Sequence, residues 1–380
     1  MGLNGFAIQT RSSAFSRIDS RNGGIDLLKM FCAILIVFFH VLPDLGVPGA
    51  LGPDRLYAIL FGSWGVYAVD VFFVASAYFL SKGHFHFQSF IHVFVVTLAF
   101  IFAFGILTIR HQITVVHVHA DIAIKEYFLS SIFDSPLWLT NYWYVTSYLF
   151  AYLFFPFIKK GLAKLTPTQD KVFLGCLAAL FLLANFKTTY SALEDIPFVL
   201  ALYSLVYILE KRQWTHFFSR FGWLIILILF IQTVVSRFYY DVLEDKRRWL
   251  IPLLGNISRH SFTMALMALS SFYIAKDLPI KGNNFFKYCG GATLEVYLFH
   301  EGPFSMKNLL KTRVIKGWLG ISDITAEAGY RWISFLYCFC FFLIGWILGL
   351  IIEVLLRLFE EGQSKNMADF LLRADSAFND

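Results

Sequence analysis

The chain has 380 residues, of which 58% are hydrophobic, 15% are charged and 44 are Phe. A soluble domain carries about 25% charged residues, so the composition excludes an ordinary soluble protein. It predicts an all-α, polytopic membrane helix bundle. The formal net charge of +6 is interpreted through membrane topology, because no basic groove with stacking aromatics indicates nucleic-acid binding.

A helix needs roughly 20 predominantly apolar residues to cross a bilayer, and we predict about ten such helices. They cover residues 27–44, 57–81, 89–109, 138–158, 172–186, 195–210, 221–237, 261–276, 288–305 and 331–357. The fifth and sixth are short, and the ninth contains several ionisable residues. The predicted organisation is an N-terminal arm over 1–24, a transmembrane domain over 25–360 and a polar tail over 361–380.

Lys and Arg are enriched in the cytoplasmic loops of membrane proteins. In this chain the N-terminal arm and the loops after the fourth, sixth and eighth spans are basic, and alternating spans place all four on one side. We therefore predict that both termini are cytoplasmic. The loops at 238–260 and 306–330 are also basic and depart from this pattern, so they are expected to be interfacial or to meet an anionic or lipid-linked substrate.

The first span has one polar face. Lys29 lies eleven residues before His40, and about 100° per residue returns the helix to nearly the same face. Asp26 and Asp44 fall within about 60° of that stripe. Because ionisable groups in hydrocarbon are costly and usually functional, this face should meet protein or water and not lipid.

This stripe allows two interpretations. An imidazole works as a general base near neutral pH, so His40 is a candidate catalytic base with an aligned Asp as its orienting carboxylate. Lys29 could then pair with Asp26 or meet an anionic cofactor that enters from the cytoplasm. Alternatively, Asp26 and Lys29 are interfacial anchors, and His40 is a packing residue.

The second span contains a carboxylate within a hydrophobic run. Asp70 needs a partner there, and the small residues Ala75, Ser76 and Ala77 allow close contact with another helix. Together, the stretch from Asp26 to His40 and the sequence Val-Asp-Val-Phe-Phe-Val-Ala-Ser-Ala-Tyr-Phe-Leu at 69–80 resemble the acyltransferase-3 family of integral-membrane O-acyltransferases.

That family typically opens with Asp-x-x-Arg, followed by a histidine eleven residues beyond the Arg. Its second span typically has Val-Asp-x-Phe-Phe-x-x-Ser-Gly-Phe. Two later segments are also similar to the family: 137–144, which ends with Trp143 and Tyr144, and 293–300, which ends with His300.

The chain departs from the family at the donor side. The usual Arg is Lys29, which can meet phosphate but not through a bidentate fork. The Arg-x-x-Arg pair that often follows the second span, thought to hold coenzyme A, is absent. Lys82, His84 and His86 stand there and could form a weaker phosphate site. In the alternative interpretation, Lys82 extends its amine to the membrane–water interface, and the two histidines lie at the level of the lipid headgroups.

The ninth span carries Glu295 and His300, separated by about 140° around a helix. They could line one cavity if the helix breaks near Gly302-Pro303. Glu295 is otherwise a structural partner for a cation on another helix, and His300 with Glu301 could mark the outer interface. Trp143 and Tyr144 are either core or belt residues or sugar-stacking platforms.

The resemblance implies an O-acyltransferase that moves acetyl from cytoplasmic acetyl-CoA to a hydroxyl of a cell-surface glycan or glycolipid, in a bacterial cytoplasmic membrane. Its expected catalytic residues are His40, Asp26 and Glu295. The expected donor contacts are Lys29, Lys82 and His84. The expected substrate or structural residues are Asp70, Ser76, Trp143, Tyr144 and His300.

No metal cofactor is expected, because His111, His117 and His119 lack the spacing of metal ligands. A transporter or flippase is the alternative, because such proteins also have a polar stripe through a helix bundle. The sequence shows no paired inverted repeat, a common feature of transporters. A scaffold of this family without activity is a third alternative, since the Arg pair is missing.

Overall fold

The computed structural model describes residues 22–45, 53–83, 85–114, 117, 119–128, 142–184, 192–239, 261–301, 320–321 and 329–361. Within these ranges the regular structure is helical, apart from an isolated antiparallel bridge between Asn22 and Lys281. The predicted all-α helical membrane bundle is therefore confirmed.

The helices run in chain order as follows. They are α1 (Gly23–Asp44), α2 (Pro53–Gly62), α3 (Gly65–Lys82), α4 (Phe87–Thr114), α5 (Ala120–Phe128), α6 (Trp143–Ala163), α7 (Pro167–Ala184), α8 (Ala192–Lys211), α9 (His216–Tyr239), α10 (Phe262–Asp277), α11 (Asn284–Gly291), α12 (Thr293–Glu301) and α13 (Tyr330–Glu361).

Five described segments are long and apolar enough to cross a membrane. They are Gly23–Asp44, Leu56–Lys82, Phe87–Leu107, His216–Ser236 and Tyr330–Ile352. The second of these joins α2 and α3 across a short break. The ten predicted spans each overlap a described helix, but the count of ten stays a prediction. Residues 362–380 of the tail lie outside the described residues, as do most of the N-terminal arm and most of the basic loops at 238–260 and 306–330.

The start of α1 is fixed to the end of α10. Asn22 caps α1, because its Oδ1 accepts the Ile25 N–H at 3.1 Å, and its Nδ2 donates to the Lys276 carbonyl at 2.6 Å. A Cβ on Gly24 would lie 2.1 Å from the Ala275 carbonyl oxygen. Only glycine allows backbones to approach this closely, so the sequence at 22–24 determines where α1 docks.

Helix α1 lies at the centre of the described bundle. It packs against α2, α3, α10, α11, α12 and α13, while α3 also contacts α6, α8 and α10. The polar face of α1 is largely enclosed, with Asp26 only 5% exposed and the His40 side chain 24% exposed. The prediction that this face meets protein and not lipid therefore agrees with the packing.

The ninth predicted span consists of two helices, α11 and α12, and the break between them precedes Glu295. The side chains at the start of α1 hold this break in place. Lys29 Nζ donates to the Gly290 carbonyl at 2.7 Å, and a Cβ on Gly290 would lie 2.6 Å from Asp26 Oδ1. The expected break near Gly302-Pro303 lies outside the described residues.

Candidate active site

The candidate site begins with a contact between α1 and α12. Nδ1 of His40 lies 2.7 Å from Oε1 of Glu301, and the two side chains are 24% and 17% exposed. An ionised carboxylate only accepts hydrogen bonds, so Nδ1 of His40 donates to Glu301. The neutral ring then carries its lone pair on Nε2, the arrangement that a general base needs.

A second imidazole completes this cluster. The rings of His40 and His300 have centroids 5.1 Å apart, and His300 Nε2 lies 4.0 Å from Glu301 Oε1. His300 is fully buried. Its Nδ1 lies 2.7 Å from the carbonyl of Val296, which can only accept, so Nδ1 donates and Nε2 carries the lone pair.

His300 opens onto a cavity of about 530 Å³, within the range of small-molecule binding sites. On α1 the cavity is lined by Lys29, Ala33 and Ile36. These positions continue along the same face to His40, eleven residues beyond Lys29, which corresponds to about 16 Å at 1.5 Å per residue. The cavity therefore follows the predicted stripe from the start of α1 toward the two imidazoles.

Several aromatic side chains also line the cavity. Tyr144, Tyr148 and Tyr152 of α6 line the cavity at intervals of four residues, so they lie on one helix face. The Tyr144 ring lies 5.2 Å from the ring of Tyr297, which in turn lies 5.7 Å from His300. The cavity is therefore apolar in body with a few phenol groups along its length.

Three of the residues predicted to act in catalysis or to contact the substrate share this cavity with His300. Glu295 lines it and is 1% exposed. Glu295 and His300 lie together on α12, after the described break, so the expected break near Gly302-Pro303 stays a prediction. Ser76 lines it from α3, and its Oγ accepts a hydrogen bond from the Tyr203 hydroxyl at 2.6 Å. Tyr144 lines it as well, whereas the Trp143 ring packs against Tyr144 with centroids 6.4 Å apart.

The structure does not bring Asp26 to His40. Fourteen residues of α1 separate them, which corresponds to about 21 Å, and Asp26 contacts the glycine at the α11–α12 break. The carboxylate beside His40 belongs to Glu301. A catalytic role for Asp26 stays a prediction, and no contact of Asp26 with the imidazoles supports it.

The predicted donor contacts separate into two groups. Lys29 and His86 line the cavity. Lys82 instead forms an ion pair with Glu210 of α8, with 2.6 Å between Nζ and Oε2. His84 lies outside the described residues.

Asp70 lies on α3, away from the cavity lining. It is 3% exposed, and it interacts electrostatically with Asp195 of α8, which is 1% exposed. Asp195 is a second carboxylate, so its charge opposes an ionised Asp70 and does not compensate it. The stabilising partner expected for Asp70 therefore stays a prediction. A role of Asp70 in substrate binding stays a prediction.

The sequence offered Glu301 only as a possible marker of the outer interface and did not predict its contact with His40. The neighbouring sequence does not show whether a carboxylate at a helix end contacts water or a histidine on another helix. The tyrosine stripe on α6 did have a signal, because its four-residue spacing is visible in the sequence. Aromatic residues at helical spacing, however, are common in any bundle core.

These features define an integral membrane helix bundle with a cavity that ends at a histidine–carboxylate cluster. Residues 22–350 match the family described as Acyltransferase domain, and the chain belongs to this acyltransferase-3 family. The resemblance that the first two spans indicated is thereby confirmed, and membrane acyltransferase activity follows at this general level. No curated protein sequence and no solved structure matches the chain.

Proposed function

We propose that the chain transfers an acetyl group from cytoplasmic acetyl-CoA to a hydroxyl of a cell-surface glycan or glycolipid, with His40 as the general base. The observation that carries this proposal is the 2.7 Å contact between His40 Nδ1 and Glu301 Oε1. It leaves Nε2 of His40 as the basic nitrogen, because Nδ1 donates to the carboxylate. Glu301 also stabilises the imidazolium that forms when His40 accepts a proton.

The shape of the cavity supports a thioester donor. Lys29 contributes a positive charge at the start of α1, and apolar and phenolic side chains line the path from there to His300. The acyl-bearing arm of coenzyme A is a narrow, uncharged chain with an anionic nucleotide at its far end. In the proposed complex the arm lies along the α1 stripe, and the phosphates stay near Lys29 and His86.

The proposed reaction balances without a metal or a redox partner. His40 Nε2 accepts the proton of the acceptor hydroxyl while that oxygen attacks the thioester carbonyl. The carbon–sulfur bond then breaks, the new carbon–oxygen ester bond remains on the acceptor, and the imidazolium returns its proton to the coenzyme A thiolate. His40 carries out the two proton transfers that accompany the acyl transfer, as general acid–base catalysis requires.

The membrane setting supplies the two substrates from opposite sides. We propose that the chain resides in a bacterial cytoplasmic membrane with both termini in the cytoplasm, as the distribution of Lys and Arg predicts. The donor then enters from the side of Lys29, and the glycan approaches His40 from the outer side. Tyr144 and Trp143 are the proposed contacts for the sugar or for the acyl arm.

The test uses purified protein in liposomes with acetyl-labelled acetyl-CoA and the cell's own surface glycan as acceptor. We expect transfer by the wild-type chain and none by His40→Ala. His216→Asn is the matched control, because His216 is exposed at the start of α9 and its loss should leave transfer unchanged.

Transfer by His40→Ala at the wild-type rate would contradict the role of this histidine. The absence of label transfer to any glycan, together with movement of substrate across the liposome, would favour a transporter. Mass spectrometry of surface glycans from cells with and without the chain provides an independent check, as an acetyl-sized mass difference.

A further inference from the structure

We propose that His40, His300 and Glu301 form a binding site for a divalent transition-metal ion of the Zn²⁺ class, and that an ion bound there blocks acyl transfer. The ligand atoms of these three residues all lie within 4.8 Å of one another. The binding proposal stands on this geometry alone. The inhibition rests on the proposed function, because it assumes that His40 acts as the base.

The ligand set is the first argument. Two imidazoles and one carboxylate are a recurrent set of three protein ligands for zinc, with a fourth position for water or substrate. Imidazole nitrogen favours Zn²⁺, Cu²⁺ or Ni²⁺ over Mg²⁺ or Ca²⁺, which take oxygen ligands. The cluster therefore selects a transition metal and not an abundant alkaline-earth ion.

The orientation of His300 is the second argument. Its Nδ1 donates to the Val296 carbonyl at 2.7 Å, which presents the lone pair of Nε2 4.0 Å from Glu301 Oε1. Metal-bound histidines usually have their other ring nitrogen fixed by such a hydrogen bond. This tautomer is thus already arranged before any ion arrives.

Binding requires the proton of His40 to move from Nδ1 to Nε2, so that Nδ1 offers its lone pair to the ion, and beyond this the spacing requires only side-chain adjustment. Ligand atoms bound to one zinc ion lie about 2.0–2.2 Å from it, so neighbouring ligands stand somewhat more than 3 Å apart. The present separations are 2.7 Å for His40 to Glu301 and 4.0 Å for His300 to Glu301. His40 and Glu301 are partly exposed and can rotate, whereas His300 is buried and stays in place.

An ion in this position removes the groups that acyl transfer needs. Coordination by Glu301 breaks its hydrogen bond to His40 and uses the charge that would stabilise the imidazolium. One of the three ligands, His300, lines the cavity, so an ion held there lies at the cavity's end. A bound ion therefore both disables the base and occupies the end of the proposed donor path.

The experiment measures binding separately from activity. Detergent-purified protein is stripped with a chelator and titrated with Co²⁺, whose visible absorption reports a site of low coordination number, and then with Zn²⁺ as competitor. We expect one ion per chain for the wild type and for His216→Asn. Glu301→Gln and His40→Asn should each weaken Zn²⁺ binding by at least about 10-fold, since each removes one of three ligands.

Acyl transfer is then measured on the same samples. Zn²⁺ should abolish transfer by the wild type, and a chelator should restore it. Equal Zn²⁺ affinity in Glu301→Gln and wild type, in samples with unchanged melting temperature, would overturn the site. Full transfer by zinc-loaded protein would overturn the inhibition. Metal binding by a chain that transfers no acyl group in any condition would support the site and refute the proposed function.

Discussion

His40 on α1 and Glu301 at the end of α12 are joined by a 2.7 Å contact between Nδ1 and Oε1. The contact exists because α12 follows a helix break that Lys29 and Asp26 hold against the start of α1. The same helix therefore carries the histidine at one end and the groups that position its partner helix at the other. The placement of Glu301 beside His40 consequently depends on packing about 16 Å away along α1.

Replacing Glu301 with Gln should lower kcat by about 100-fold, within the usual range for losing effective general base catalysis. The amide keeps the size of the side chain but does not stabilise the imidazolium. KM for acetyl-CoA should stay unchanged, because Glu301 acts through His40. Steady-state kinetics in liposomes provide the measurement, and an unchanged kcat would show that Glu301 has no part in the reaction.

Filling the cavity from α1 should block the donor path. Ala33 is 2% exposed and lines the cavity between Lys29 and His40, so Ala33→Phe should raise KM for acetyl-CoA by at least about 10-fold, equivalent to roughly 1.4 kcal/mol of binding. Ala163→Phe is the control, because Ala163 is exposed at the end of α6. Equal donor KM values in both variants, with unchanged melting temperatures, would refute this path.

The close contact between α1 and α10 should make Gly24 intolerant of a methyl group. A Cβ there would lie 2.1 Å from the Ala275 carbonyl oxygen, and Gly24→Ala should destabilise the fold by about 1–3 kcal/mol through overpacking. Gly161→Ala is the matched control, since nothing lies within 4 Å of its added Cβ. Thermal unfolding in detergent should separate the two, and equal midpoints would contradict the contact.

A buried ion cluster joins α7 to the end of α8. Asp170 is 0% exposed, and its Oδ2 lies 2.6 Å from Arg212 Nε and 3.1 Å from Lys211 Nζ. Removing one partner of a buried pair leaves an uncompensated charge, so Asp170→Asn should cost about 3–5 kcal/mol. The melting temperature should fall well below that of Asp277→Asn, an exposed control, and similar midpoints would show that the cluster contributes little.

Much of the site could be predicted from sequence because helical geometry is local. The spacing of Lys29 and His40 determines their shared face whatever surrounds α1, and the cavity does follow that face. Glu295 and His300 stood out because ionisable residues in an apolar span are costly. The family was evident from two short motifs, since they combine unusual polar residues with fixed helical spacing.

The other features of the candidate site depended on contacts between helices that are distant in the chain. Lys82 was a reasonable phosphate contact by position, but α8 supplies Glu210 and the two form an ion pair. Asp26 shares the stripe of His40, yet it meets the break between α11 and α12. Neither outcome follows from periodicity, because periodicity defines which face a residue occupies and not which helix packs there.

The sequence alone therefore determined that this is a membrane helix bundle of the acyltransferase-3 family, with a histidine on an enclosed polar stripe. Composition, apolar span length and helical spacing are properties of the chain itself, and they require no knowledge of its neighbours. Only the tertiary structure decided that Glu301, on a helix distant in the chain, provides a carboxylate in contact with His40. That pairing arises from the docking of α12 against α1, which the enclosed break at Gly290 allows.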